Sequence, residues 1–108
     1  MKAYNRTSGK YLASDVEAAD TVFKRMKGLL GRDSLSAGEA LWIKPCKSVH
    51  TIGMRFPIDL VFLDRDLKVV GLRKSDPPNR FSPYVFRAIG VLELPAGTIA
   101  ESGTEYTA

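Results

Sequence analysis

A mainly β domain is what this sequence predicts: a small β-barrel or β-sandwich of short strands with one peripheral helix near residues 20–30. Three observations predict it. From Ala40 onward, short β-branched or aromatic-rich runs recur with Gly, Pro or Asp between them, which reads as a succession of strands. Only the stretch holding Val22, Met26, Leu29 and Leu30 repeats apolar residues at three- and four-residue intervals, the period of a helix. A chain of 108 residues with 44% hydrophobic content has enough material for one modest core and too little for two domains.

The elements follow in order. Residues 2–7 and 10–16 flank Ser8-Gly9, a dipeptide that supplies the positive φ of a tight turn, so the chain opens with a hairpin. Asp20 or Thr21 caps the helix and Gly31 ends it, while Lys24, Arg25 and Lys27 fall on its solvated side or last turn, where cations complement the carbonyl end. Strands are predicted over 40–43, 49–54, 58–64, 68–72 and 85–94. The run Ile58 to Leu63 is almost continuously apolar and therefore reads as a central strand covered on both faces. Residues 75–83, with three prolines and Asn79, form an irregular loop, and a last short helix or turn starts at Thr98 after Gly97 and ends at Gly103.

Composition narrows the function classes. Sixteen Lys and Arg against twelve Asp and Glu give a net charge of +4, scattered along the chain with acids interleaved. The aromatics sit mostly in strand-like runs, so a solvated basic surface is expected and nucleic acid is disfavoured as a partner. No run approaches the ~18 apolar residues of a membrane span. The charged opening residues lead into no apolar signal segment, which reads as a cytoplasmic protein. The single cysteine, Cys46, has no internal partner for a disulfide, in keeping with a reducing compartment.

Residues 45–59 concentrate the candidate chemistry, because they hold the chain's one Cys and one His. In a strand Cys46 and His50 would lie roughly 13 Å apart, and Pro45, Val49, Thr51 and Ile52 oppose the helix that would join them, so a thiol–imidazole dyad is disfavoured. Zinc needs about four ligands, and neither a metal nor another cofactor is expected. A hairpin about Arg55-Phe56 would pair 49–54 with 57–62 and make His50 and Asp59 diagonal neighbours, about 7 Å apart at the backbone. Such a pair fixes the imidazole tautomer and raises its basicity. The competing structural reading satisfies His50 with a backbone carbonyl and uses Asp59 to cap a turn or to pair with Arg55. Glu93, inside the apolar run 91–94, needs a partner if buried, and Arg25 or Arg32 from the helical region is the expected one. Met54 and Trp42 read first as packing residues and second as the lining of an apolar pocket.

Three segments together carry a family resemblance: Thr21-Val-Phe-Lys-Arg25-Met-Lys-Gly28-Leu29-Leu30-Gly31-Arg32, then His50-Thr-Ile-Gly-Met54-Arg-Phe-Pro57-Ile58-Asp59-Leu-Val-Phe62, then Leu92-Glu93-Leu94-Pro95-Ala96-Gly97. Over residues 12–104 the chain resembles the domain of unknown function 192 family, also called uncharacterised protein family 0127. The resemblance implies a small β-rich fold and transfers no mechanism. Many relatives carry a Trp-Met-Lys-Asn-Thr type segment where this chain reads His50 to Arg55, which makes Cys46 and His50 features of a subgroup.

The leading expectation is a non-enzymatic binding module with a shallow polar site drawn from Cys46, His50, Met54, Arg55, Asp59 and Glu93, taking a small ligand or a protein segment. The alternative is a hydrolase-like or thiol-dependent enzyme using His50 with Asp59 or Cys46, for which no complete catalytic set is visible. A third is assembly through an exposed strand edge.

Overall fold

The computed structural model describes residues 1–19, 21, 24, 28, 29 and 31–106, and among them the β-branched and aromatic runs form seven strands in two sheets. The opening hairpin pairs β1 (Ala3–Asn5) with β2 (Lys10–Ala13). Its turn needs Gly9 at φ 74° and is held by Asn5 Oδ1, which accepts the N–H groups of Thr7 and Ser8. The second arm is shorter than the predicted 10–16. Ser14 and Asp15 both donate to the Gly38 carbonyl, and this shared acceptor bends the chain out of the hairpin into β3 (Asp15–Ala19) of the second sheet.

That sheet has the order β3-β4-β7-β5-β6, where β4 is Glu39–Ile43, β5 Ile58–Leu63, β6 Val69–Asp76 and β7 Gly90–Pro95. The β3–β4 pair is parallel and needs the crossover of residues 20–38; the other pairs are antiparallel. The helix expected at 20–30 falls largely outside the described residues. Within them, Lys24 N–H donates to Thr21 Oγ1 and Gly28 N–H to the Lys24 carbonyl. Neither sheet closes into a barrel.

Residue alternation gives the five-stranded sheet a core on each face. Ile58, Leu60 and Phe62 with Leu41, Ile43 and Val91 meet Leu29, Met54 and Ala88 on the side covered by loops. Val61, Leu92, Leu94 and Ala40 meet Ala13 and Ile99 on the other side, covered by the hairpin and by α1 (Thr98–Ser102). β5 is accordingly the doubly covered strand that its apolar run predicts. Helix α1 begins after Gly97 and ends at Gly103, as read from the sequence. At the edge of β7, Gly90 lets the Trp42 ring lie against the backbone, since a Cβ there would come within 2.4 Å of that ring.

Two strand expectations need correction. Residues 49–54 form no strand, and the 85–94 run becomes one only from Gly90. The segments 44–57 and 77–89 instead run side by side as an irregular ribbon. Its backbone bonds are Cys46 N–H to Ile89 O, Val85 N–H to Lys47 O, Ser82 N–H to Val49 O, Thr51 N–H to Arg80 O and Asn79 N–H to Thr51 O, with one bridge, His50 to Phe81. Pro45, Pro57, Pro77, Pro78 and Pro83 lack the donors that a regular ladder requires. β6 also extends past residue 72 to Asp76, because Asp59 Oδ1 accepts the N–H of Ser75 at an irregularity where Ser75 takes φ 48°.

Candidate functional site

The hairpin that would join His50 to Asp59 does not form, because β5 takes β6 and β7 as its neighbours. Asp59 is 1% exposed, and its two oxygens accept the N–H groups of Ser75 at 2.7 Å and Ile99 at 2.8 Å. Gly97 at the start of α1 has no side chain to cap the helix, so the cap comes from β5 across the core. His50 is exposed and lies beside Phe81, ring centroids 6.0 Å apart and planes 57° from parallel. Arg55 pairs with Asp33 at the surface, not with Asp59.

Cys46 is half-buried at the edge of the loop-side core, and its thiol donates to the Ser48 carbonyl at 3.0 Å. Met54 is buried in that core, the first of its two predicted roles. Glu93 lies on the same face of β7, opposite Leu41 of β4 and Leu60 of β5. It is 4% exposed, its Oε1 has no hydrogen-bond partner among the described residues, and burial pushes its carboxyl up to about 7. The expected pairing with Arg32 does not form: Arg32 bonds Glu39 at 3.3 Å, while Arg25 lies outside the described residues. Register puts Arg73 and Asp76 on this face too, opposite Leu60 and Ile58. Asp76 is buried with Oδ1 on Arg73 at 3.3 Å and Oδ2 without a partner among the described residues. Among the described residues no three His, Cys, Asp or Glu side chains gather as metal ligands.

The outer side of the ribbon is the more distinctive surface. Val49, Val85 and Ala88 pack against the core, and other residues of the two segments stay exposed. Phe81, Tyr84 and Phe86 are 73%, 66% and 77% exposed; His50 bridges to Phe81, and Ile52, two residues further on, is 43% exposed. Thr51, fully buried, locks the two segments: its hydroxyl donates to Pro77 O at 2.7 Å and accepts the Arg80 N–H at 2.9 Å. Lys47 Nζ donates to the carbonyls of Phe86 and Ala88 and sits 5.7 Å from the Phe86 ring centre. Residues 44–57 and 77–89 contain Lys44, Lys47, Arg55, Arg80 and Arg87 and no Asp or Glu, a charge of +5; the other 81 residues carry 11 basic and 12 acidic groups, a net −1. The sequence reading missed this surface because it put Ile52 and Phe86 in strands and read residues 75–83, with Phe81, only as an irregular loop. The signals for it were Pro77, Pro78 and Pro83, which flank Phe81 and precede Tyr84 and deny a ladder, and the absence of acids from both segments. A shallow groove of about 410 Å³ also lies between β2, residues 37–38 and α1, and none of the six candidate residues lines it.

The profile of the family described as DUF192, uncharacterized ACR, matches residues 3–107. A UPF0127 protein of Thermococcus sibiricus (strain DSM 12597 / MM 739) is 34% identical over 110 residues, covering 94% of this chain and 70% of that protein. Two solved structures share the fold. One is a protein of unknown function from Novosphingobium aromaticivorans DSM 12444, with TM-score 0.77 and 21% identity over 98% of this chain and 89% of that one. The other, provisionally assigned as a transcription regulator of Sinorhizobium meliloti 1021, has TM-score 0.82 and 19% identity over 97% and 85%.

Proposed function

The chain belongs to the uncharacterised DUF192 family, and from that premise we propose that it is a small binding module whose recognition face is the outer side of the ribbon of residues 44–57 and 77–89. One observation carries the reading: four large apolar side chains, Ile52, Phe81, Tyr84 and Phe86, stand exposed on segments whose backbones are tied to each other. Exposed aromatic rings grouped on a preorganised surface are the usual anchors of binding, because little ordering entropy is lost when they are covered. Of the candidates read from the sequence, His50, Arg55 and Cys46 belong to this ribbon and Met54 supports it from beneath. Asp59 and Glu93 serve elsewhere in the fold. The enzyme alternative has less support, since both Asp59 oxygens accept backbone N–H groups and the Cys46 thiol donates to the Ser48 carbonyl.

Amide-resolved NMR with phenol as a small aromatic probe tests the reading. Shifts should concentrate at residues 47–52 and 79–87. Shifts confined to the groove near Ser14 and Thr98, or none at all, would overturn it.

A further inference from the structure

The ribbon face combines two properties that rarely coincide on a protein surface. It exposes apolar side chains, and the two segments that form it hold five basic residues and no acid, one of the five, Arg55, being paired with Asp33. Resting on the binding-module reading, we propose that this face docks on an anionic lipid surface, with Ile52, Phe81, Tyr84 and Phe86 entering the interfacial region and Arg80, Arg87 and Lys44 set against the phosphates.

Four features select this partner. The +5 charge of the two segments, against −1 for the rest, attracts an anionic surface and orients the molecule ribbon-first. Exposed Phe and Ile side chains together with an exposed Tyr suit the boundary between headgroups and acyl chains, where apolar bodies are buried and a hydroxyl stays wet. The loop carbonyls of Phe86 and Ala88 would cost free energy in an apolar phase if left bare, and Lys47 already satisfies both. Single-stranded nucleic acid fits less well: the His50 and Phe81 planes are tilted by 57° and form no stacking platform, and Ile52 has no π face to offer a base.

The test is co-sedimentation of the full chain with vesicles of phosphatidylglycerol and phosphatidylcholine in equal parts, beside vesicles of phosphatidylcholine alone. Binding to the anionic vesicles should be about tenfold or more the stronger and should fall as salt is raised. The Phe81→Ser/Phe86→Ser variant should bind about tenfold more weakly with an unchanged urea midpoint, because both rings are exposed in the folded state. Equal binding to the two vesicle types, no binding to either, or undiminished binding by the variant overturns the proposal. So does tight binding to an oligothymidylate by a protein that ignores vesicles. If phenol maps to the ribbon and vesicles do not bind, the lipid partner is wrong and the binding module stands; if phenol maps elsewhere or nowhere, both fall.

Discussion

Glu93 holds a carboxyl between two leucines of neighbouring strands with one oxygen unserved among the described residues, and desolvation raises it from 4.5 to about 7. Between those values the folded protein keeps a proton that the unfolded chain has released. Stability is therefore fully present below about 4.5 and falls as pH rises through 7, by about 1.4 kcal/mol per pH unit and roughly 3 kcal/mol in all. Glu93→Gln should remove that slope. Urea unfolding at pH 8 should show the variant more stable by about 2 kcal/mol and at pH 5 nearly equal to the parent; an unchanged slope would assign the pH dependence to other groups. The need for a partner at Glu93 was legible in Leu92-Glu93-Leu94, but its identity was not. Arg32 goes to Glu39, which also accepts the Ser36 N–H, a local arrangement that fixes the acid before any distant competitor can reach it. Asp76 escaped notice because it adjoins Pro77-Pro78 and reads as loop.

Helix α1 has five residues and a glycine N-cap, too little to persist by itself, and its tie to the sheet is Asp59. The same carboxylate holds the Ser75 N–H at the irregular end of β6, so one side chain fastens two elements to β5. Asp59→Ala should cost about 3 kcal/mol, the loss of two charge-assisted bonds from a buried site. Asp59→Asn keeps one acceptor and turns an amide toward an N–H, and should cost about half as much. Urea titration measures both, and in Asp59→Ala the amides of Ile99 and Ser75 should exchange faster relative to Leu60. A loss under about 0.5 kcal/mol with unchanged exchange would make the cap incidental. Elements with strong local signals were legible: β4, β5, and the glycines bounding α1. The partner of β5 was not, because proximity in sequence favoured residues 49–54. A strand apolar on both faces needs neighbours of the same kind, and Val91-Leu92 with Leu94 meets that need where His50, Thr51 and Gly53 do not.

Across the whole molecule, charge that looks interleaved along the chain is unevenly shared, because the fold ties 44–57 to 77–89, which hold five basic residues and no acid, on one side of the sheet and the β1–β2 hairpin covers the other. A net +4 is therefore a poor guide to how the protein meets an anionic surface; the location of the charge decides. Two variants of equal net charge separate the effects. Arg80→Glu/Arg87→Glu and Lys2→Glu/Arg6→Glu each take the formal charge from +4 to zero, the first on the ribbon and the second beside the opening hairpin. With each basic residue near an anionic leaflet contributing about fivefold, the ribbon variant should lose about 25-fold or more in binding to phosphatidylglycerol-containing vesicles, and the hairpin variant about twofold at most. All four side chains are exposed, so the two urea midpoints should stay near the parent's and the comparison reports on association. Equal losses in the two variants would mean that net charge alone governs the attraction, and that the exposed rings of Phe81 and Phe86 have no oriented role at the surface.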